Sequence, residues 1–227
     1  MKDQVCLDSL QLKRIVANTA LKYIRDGMIL GIGSGSTVRE FIDLLSKLSL
    51  QVKCIPTSYD TELALRSRGL NTISLLDAHK IDLAIDGADS VFLDKRVIIK
   101  GHGGAFLREK IVDYLADEFI VIITEEKLER VVPVPVEVLP FAYSKFMLNE
   151  LSKYGNPQLR SARDKLGPVV TDNGNWIIDI DIQPNLISRS LEIELKSIPG
   201  VIESGVFVRD ARILVARKDG KVEEKTI

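Results

Sequence analysis

Apolar side chains near the start of the chain recur every four residues, at Leu12, Val16, Ala20 and Ile24. Residues at this spacing lie on one face of an α-helix, so this segment is predicted to be helical. Short apolar runs then alternate with amphipathic segments. The runs predicted as strands are 28–33, 51–58, 71–76, 81–89, 96–101 and 118–124, and the predicted helices between them are 37–48, 59–70 and 105–117. This alternation predicts an α/β fold, with a mostly parallel sheet covered by helices on both faces.

The pattern changes near residue 130. Pro133, Pro135 and Pro140 interrupt an apolar stretch, which favours a linker or an edge segment over a central strand. A helix, a hairpin turn at Asp-Asn-Gly (172–174) and a second helix follow, as in a smaller α+β unit. The predicted domains are 1–131 with 206–227 for the first and 132–205 for the second, with strands at 205–208 and 211–216 returning to the first sheet.

Composition and charge narrow the possible functions. The chain has 227 residues, of which 45% are hydrophobic and 28% charged, as in a soluble protein with a sizeable core. Its net charge is −1 and its Lys and Arg residues are spread out, so no nucleic-acid partner is expected. No apolar run is long enough to span a bilayer and no signal-peptide core is present, so no membrane partner and a cytoplasmic location are expected.

Cysteine and histidine contents bear on redox and metal chemistry. Cys6 and Cys54 lie far apart in the sequence, which fits a reducing cytosol better than a disulfide framework. With two histidines in the chain, a His-based metal site is not expected. Carboxylate binding of a hard cation stays open.

The stretch "MILGIGSGSTVREF" (28–41) has the character of a phosphate-binding loop. Its glycines allow a tight turn, and the helix that follows offers unsatisfied N–H groups to an anion. Ser34, Ser36 and Thr37 add hydroxyl donors. The alternative is a plain strand-to-helix turn in which Ser36 or Thr37 caps the helix.

Two features of nucleotide sites are missing from this loop. The dinucleotide fingerprint has Gly or Ala where Ser36 stands, and an acidic residue where the next strand ends in Thr57 and Ser58. A P-loop needs a lysine before its Ser or Thr, and none precedes Ser36. A small phosphate monoester therefore fits the loop better than a nucleotide.

Further polar side chains follow predicted strands. Asp86 and Asp89 stand at a carboxyl end, where open α/β sheets place ligands, and they could hold sugar hydroxyls or a cation. An acidic turn with a purely local role is the alternative. Lys100 precedes Gly-His-Gly-Gly, a possible anion nest in which His102 is a polar loop residue. Lys100 itself is either an electrophile or a solvated lysine.

Helical periodicity places Glu109 on the solvent side of its helix. Leu107, Ile111 and Leu115 form the apolar stripe, and Glu109 lies about 200° from Leu107 at about 100° per residue. The pattern alone therefore predicts an exposed glutamate.

Seven segments, in this order, resemble ribose-5-phosphate isomerase of the A type. They are "GIGSGSTV", "SYDTELALRSRGL", "IDGAD", "KGHGGAFLREK", "PVPVEVLP", "TDNGNWIIDI" and "SIPGVIESGVF", and they extend over nearly the whole chain. The resemblance implies a Rossmann-like α/β domain plus a small ferredoxin-like α+β domain, in a homodimer or homotetramer. It implies interconversion of D-ribose 5-phosphate and D-ribulose 5-phosphate through an enediolate, without a cofactor or a metal, in the non-oxidative pentose phosphate pathway.

The resemblance also implies roles for individual residues. Glu109 matches the catalytic base, which reverses the periodicity argument, and Lys100 matches the residue that stabilises the enediolate. Asp86 and Asp89 match aspartates that bind sugar hydroxyls and assist ring opening. The residues that match substrate-binding positions are Lys13, Ser34, Gly35, Ser36, Thr37, Gly103 and Gly104.

Three positions depart from the family pattern. His102 stands where glycine is usual, Ser90 replaces a carboxylate, and Val131 occupies the position of a phosphate-contacting lysine. Arg130 and Lys127 are the candidates to replace that lysine.

Two other functions are compatible with such a fold. One is a sugar-phosphate sensor without turnover, although the chain has no helix-turn-helix segment that a regulator would need. The other is a CoA transferase-like protein, which the motif set explains less well.

Overall fold

The computed structural model describes residues 7–227, so Cys6 lies outside the described residues. The α-helices of this part are α1 (Ser9–Ala20), α2 (Ser36–Leu45), α3 (Tyr59–Ser67), α4 (Phe106–Leu115), α5 (Lys145–Leu151) and α6 (Leu191–Lys196). Its strands are β1 (Ile29–Ile32), β2 (Lys53–Pro56), β3 (Leu83–Asp86), β4 (Ser90–Phe92), β5 (Val97–Ile99), β6 (Glu118–Thr124), β7 (Val134–Val138), β8 (Gly155–Leu159), β9 (Trp176–Ile182), β10 (Val201–Ser204), β11 (Val206–Phe207), β12 (Arg212–Ala216) and β13 (Val222–Thr226). Within residues 7–227, no helix combines the length and the apolar character needed to cross a bilayer.

Contacts within the chain divide it into two compact units. The first holds the residues up to Ala88, Arg108–Leu128 and Asp210–Ile227, and the second holds Asp89–Leu107 and Glu129–Arg209. The predicted boundaries instead assign 89–107, 129–131 and 206–209 to the first domain. The difference at 89–107 and 206–209 arises because β4, β5 and β11 form a separate three-stranded sheet, in the order β11-β5-β4, and do not extend the first sheet.

The first unit is built on a six-stranded sheet of order β13-β12-β6-β3-β1-β2, in which β13 alone runs antiparallel. Leu30 and Ile32 of β1 pack in one core with α1 and α2. Gly31 lies between them, and a Cβ atom there would lie 2.4 Å from Cγ1 of Val112 in α4. Because successive strand positions face opposite sides, α1 and α2 cover one face of the sheet and α4 covers the other. The predicted Rossmann-like α/β class is confirmed.

The second unit contains a four-stranded antiparallel sheet of order β10-β7-β9-β8. Helix α5 connects β7 to β8 and α6 connects β9 to β10, so the chain order is β-α-β-β-α-β. Val134, Val136 and Val138 alternate along β7 and pack in one core with Leu151 of α5 and Leu195 of α6. This is the predicted ferredoxin-like arrangement.

The proline-rich segment forms a central strand of this sheet, so the predicted linker or edge position is wrong. The Pro135 carbonyl accepts a hydrogen bond from the Gly205 N–H at 2.7 Å, on the side of β7 that faces β10. The β10 ladder already ends where Ser204 pairs with Val136. An N–H at position 135 would point beyond the last residue pair between β7 and β10. The strand therefore loses no hydrogen bond of that ladder and tolerates the proline.

Three other local predictions differ from the structure. Residues 71–76 are not a strand, because Thr72 makes an isolated bridge to Cys54 and a 3-10 helix follows at Leu75–Asp77. The run at 205–208 pairs with β5, while the run at 211–216 does return to the first sheet. Strand β8 is not predicted because Gly and Pro interrupt it, which an edge strand tolerates.

Candidate active site

In the first unit, the carboxyl ends of β1 and β3 bring Ser34 and Asp86 together. The Asp86 carboxylate is fully buried, and its Oδ1 accepts hydrogen bonds from the N–H groups of Ser34 at 3.1 Å and Gly87 at 2.6 Å. It lies so close to Gly33 that a Cβ atom on that residue would stand 1.8 Å from Asp86 Cγ. Glycine at position 33 is thus required by the close approach of the Asp86 side chain.

The Ser34 hydroxyl belongs to a network that ties the loop after β1 to the start of α3. It donates to Ser58 Oγ at 2.9 Å, Ser58 Oγ donates to Thr61 Oγ1 at 3.0 Å, and Thr61 Oγ1 donates to the Gly33 carbonyl at 2.7 Å. Thr57 Oγ1 lies 3.1 Å from the same Ser34 hydroxyl. The site prediction does not include Thr57, Ser58 and Thr61, although the clustering of hydroxyl residues after β2 is a usable signal for them.

The N-terminus of α2 is the part of this loop that suits an anion. Its N-cap is Gly35, with φ of 103° and no side chain to accept from the first-turn N–H groups, so the alternative that Ser36 or Thr37 caps the helix is wrong. Gly35 and Ser36 are exposed and Thr37 is half-buried. Uncapped N–H groups at the positive end of a ten-residue helix suit a phosphate.

Lys13 belongs to a different element from this loop. It lies in the second turn of α1 and is half-buried. Among the described residues, no hydrogen bond or ion pair joins Lys13 to Ser34, Gly35, Ser36 or Thr37.

Helix α4 buries its polar face, so the exposed glutamate predicted from periodicity is wrong. Glu109 is 4% exposed, Lys110 is 5% exposed and Asp113 is fully buried. By contrast, Ile111 and Leu115 of the supposed core stripe are 42% and 59% exposed. Sequence pattern could not reveal this inversion, because it assumes that the polar face of a helix meets water. The family motif around Glu109 is the sequence feature that marks this residue as functional.

In the second unit, Asp89 and Lys100 border the Gly-His-Gly-Gly loop. Asp89 Oδ2 accepts from the His102 N–H at 3.0 Å. Lys100 is 2% exposed, its N–H donates to the Gly205 carbonyl at 2.9 Å, and its ammonium lies 5.6 Å from the centre of the Phe207 ring. Lys100 is therefore buried, and the solvated lysine considered as an alternative is wrong.

Gly103 and Gly104 differ in their surroundings. A Cβ atom on Gly103 would meet nothing within 4 Å, whereas Gly104 has φ of 79° and a Cβ atom there would lie 3.3 Å from Ile177 Cδ1. The Gly104 N–H donates to the Gly101 carbonyl at 3.0 Å. Arg160, which carries no sequence signal, also contacts this loop through the carbonyls of Gly101 and His102.

The predicted site residues divide between the two units. Those of the first unit are Lys13, Ser34, Gly35, Ser36, Thr37, Asp86 and Glu109, and those of the second are Asp89, Lys100, Gly103 and Gly104. In residues 7–227, no group of three or more His, Cys, Asp and Glu side chains is arranged to hold a metal ion. Burial raises the pKa of the Cys54 thiol to about 12, so this buried cysteine is no nucleophile near neutral pH.

Comparison with known families bears on the three functions considered above: an isomerase, a sugar-phosphate sensor and a CoA transferase-like protein. The family model described as ribose 5-phosphate isomerase A (phosphoriboisomerase A) matches residues 53–220. The chain belongs to this family. A ribose-5-phosphate isomerase A of Methanococcus aeolicus is 45% identical to this member of the family over 211 residues, which are 89% of each chain.

Solved structures agree with this assignment to the ribose 5-phosphate isomerase A family. The structure of ribose 5-phosphate isomerase A from Methanocaldococcus jannaschii superposes with a TM-score of 0.89 at 39% identity, covering 97% of this chain and 99% of that one. A D-ribose-5-phosphate isomerase solved in complex with phospho-erythronic acid gives a TM-score of 0.88 at 39% identity, covering 96% of this chain and 100% of that one. The predicted family, fold class and isomerase character are thereby confirmed.

Proposed function

We propose that this protein interconverts D-ribose 5-phosphate and D-ribulose 5-phosphate through an enediolate, as a step of the non-oxidative pentose phosphate pathway. The observation that carries the proposal is Glu109, a glutamate buried on the inner face of α4 within the family motif "KGHGGAFLREK". A relative solved with phospho-erythronic acid, a phosphorylated sugar acid, supports a sugar phosphate as the ligand class.

Glu109 is proposed as the base. It removes the proton from C2 of the open-chain aldose and returns it at C1, which shifts the carbonyl from C1 to C2. While Glu109 holds the proton, that proton can exchange with solvent, so the product formed in deuterated water acquires deuterium.

Lys100 is proposed to stabilise the enediolate. Negative charge develops on the oxygens of C1 and C2 when the proton leaves, and a buried ammonium opposes that charge more strongly than a solvated one. Because Lys100 is 2% exposed and its backbone is held by Gly205, its charge is in place before the reaction begins.

The remaining predicted residues are proposed to hold the substrate. The N–H groups at the start of α2, with Ser36 and Thr37, bind the phosphate, while Ser34 fixes the loop through its hydroxyl network. Asp86 and Asp89 accept hydrogen bonds from sugar hydroxyls and assist ring opening. Lys13 and the backbone of Gly35, Gly103 and Gly104 complete the proposed binding residues.

Isotope exchange tests the reaction and its base together. Metal-free protein incubated with ribose 5-phosphate in deuterated water should form ribulose 5-phosphate and incorporate deuterium. Glu109→Gln should lower turnover by about 10²- to 10⁴-fold while substrate binding is largely kept, because the amide cannot accept the proton. Glu118→Gln, which changes an exposed glutamate, is the matched control and should behave like the wild type.

The two possible failures are distinguishable. If the Glu109→Gln variant turned over at nearly the wild-type rate, the base would be another residue. If the wild type formed no ketose and exchanged no deuterium while binding the sugar phosphate, the non-catalytic sensor would replace the isomerase. Family membership supports the isomerase over that alternative. The cytoplasmic location, the absence of a cofactor and the homodimer or homotetramer stay predictions.

A further inference from the structure

We propose that Arg160 is a positioning residue that holds the loop following Lys100 in its working conformation. The inference deepens the proposed function and rests on it, because this loop directly follows Lys100 and contains the proposed binding residues Gly103 and Gly104. All the contacts that support it lie within the second unit.

The guanidinium of Arg160 is anchored by Asp179 of β9. Its Nε donates to Asp179 Oδ2 at 2.7 Å and its Nη2 donates to Oδ1 at 2.5 Å, which is the two-point geometry that fixes a guanidinium plane. The side chains are 15% and 24% exposed, so water competes little for the pair.

The remaining donor, Nη1, contacts the loop. It donates to the Gly101 carbonyl at 3.0 Å and to the His102 carbonyl at 3.2 Å. Gly101 has φ of 109°, a conformation that side-chain-bearing residues rarely adopt. Arg160 therefore stabilises two consecutive peptide groups at the point where the chain leaves β5 in an unusual backbone conformation.

Other contacts hold the same loop from different directions. Asp89 accepts from the His102 N–H, and His102 Nε2 lies 3.2 Å from the Pro133 carbonyl. Ile177 contacts the position of Gly104 from the sheet. The Gly101 carbonyl also accepts from the Gly104 N–H at 3.0 Å, within the loop itself. Among these contacts, Arg160 is the side chain that binds both loop carbonyls and ties them to β9 through Asp179.

Lysine cannot reproduce this arrangement. Its ammonium is a single point charge, whereas the arginine fork contacts Asp179 through two nitrogens and the loop through the third. Arg160→Lys therefore keeps the charge but loosens the loop. A displacement of about 1 Å at reacting groups can cost about 100-fold in rate.

The test combines kinetics with amide hydrogen exchange of the peptide that spans residues 100–107. Arg160→Lys is expected to lower kcat by about 10- to 100-fold with little change in KM, and to speed exchange in that peptide. Arg189→Lys is the matched control, since Arg189 is an exposed arginine that donates to the Arg96 carbonyl outside this loop, and neither measurement should change.

Asp179→Asn provides a second route to the same effect, should Arg160→Lys fold poorly. Its loss of kcat should be less than additive with that of Arg160→Lys, because both changes release one loop. If the losses of kcat in Arg160→Lys and Asp179→Asn simply multiplied in the double variant, the two residues would act independently and the proposal would be overturned. It would also be overturned if Arg160→Lys, measured below its unfolding temperature, showed the same kcat and the same hydrogen exchange as the wild type.

A loss of kcat with unchanged exchange would place Arg160 on the substrate and would also overturn the proposal. Failure of the proposed function has a different signature. In that case the wild type is inactive on ribose 5-phosphate, yet Arg160→Lys still speeds exchange of the loop.

Discussion

The hydroxyl groups of Ser34, Ser58 and Thr61 form a relay in which each donor depends on the next acceptor. The relay ends on the Gly33 carbonyl, immediately before the loop that leads into α2. Replacing one of these hydroxyl groups with a methyl group should therefore affect both the stability of the first unit and the position of the proposed phosphate-binding loop.

Thr61→Val should show both effects. Valine fills the same space but leaves the Gly33 carbonyl and the Ser58 hydroxyl with one partner fewer, so we expect a loss of about 1–3 kcal/mol in the free energy of unfolding. We also expect a higher KM for ribose 5-phosphate, because the loop before α2 is less firmly held. Urea denaturation and steady-state kinetics measure the two quantities.

Thr19→Val is the control for this prediction. Its hydroxyl bonds back to the Ile15 carbonyl within α1, an interaction that contributes little to helix stability. Equal stability losses in the two variants, together with an unchanged KM for Thr61→Val, would contradict the role assigned to the relay.

Predictability from sequence differs sharply from residue to residue. Asp86 and Asp89 could be singled out because aspartates after a buried strand mark a ligand edge. Glu109 could be found through its family motif alone, because its helix turns a polar face inward. Arg160 could not be found, since an arginine that contacts a loop about sixty residues earlier depends on tertiary contacts that no local pattern encodes.

At the scale of elements, the contact between β1 and α4 sets the position of the proposed base. Gly31 leaves room for Val112, and Val112 stands three residues after Glu109 on the same helix. Any side chain at position 31 would push on α4, and Glu109 would move with it.

Gly31→Ala tests this coupling. The added methyl would lie 2.4 Å from Val112 Cγ1, so we expect overpacking to destabilise the unit by about 1–3 kcal/mol and to lower kcat. Adding Val112→Ala to the same chain removes the clash and should recover much of the turnover, and Val112→Ala alone is the control. A double variant as slow as Gly31→Ala would show that the helix position does not limit the reaction.

Elements were predictable where hydrophobic pattern and packing agree. Alternating strands and helices indicate the first sheet, because buried parallel strands are apolar along their whole length. The pattern failed at β7, where proline argues against a central strand but the neighbouring ladder stops short of it. It also failed at β8, whose residues carry little apolar signal.

At the scale of the whole molecule, the surface of the second unit suggests self-association. Leu139, Phe141 and Phe146 are 44%, 100% and 84% exposed, and these side chains follow closely in sequence. Large apolar side chains that stand exposed within a short segment are a feature of interaction surfaces. They support the predicted homodimer or homotetramer.

Sedimentation velocity tests the assembly. The wild type should sediment as a dimer or tetramer, and Phe141→Ser combined with Phe146→Ser should shift it to a smaller species. Leu166→Ser, which changes another fully exposed apolar residue, should leave the distribution unchanged. A monomeric wild type would contradict the prediction, and an unshifted double variant would locate the interface elsewhere.

The order of strands in the first sheet also bears on how the chain is made by the ribosome. One edge of β6 pairs with β12, and Arg212 follows Thr124 by 88 residues. At a synthesis rate of about 5–20 residues per second, roughly 4–18 s pass between them. During that interval the nascent chain presents the apolar strand "EFIVIIT" with one edge unpaired, a feature that invites aggregation. Slow translation of the intervening second unit would therefore increase the demand for chaperones, even though the finished sheet buries this strand.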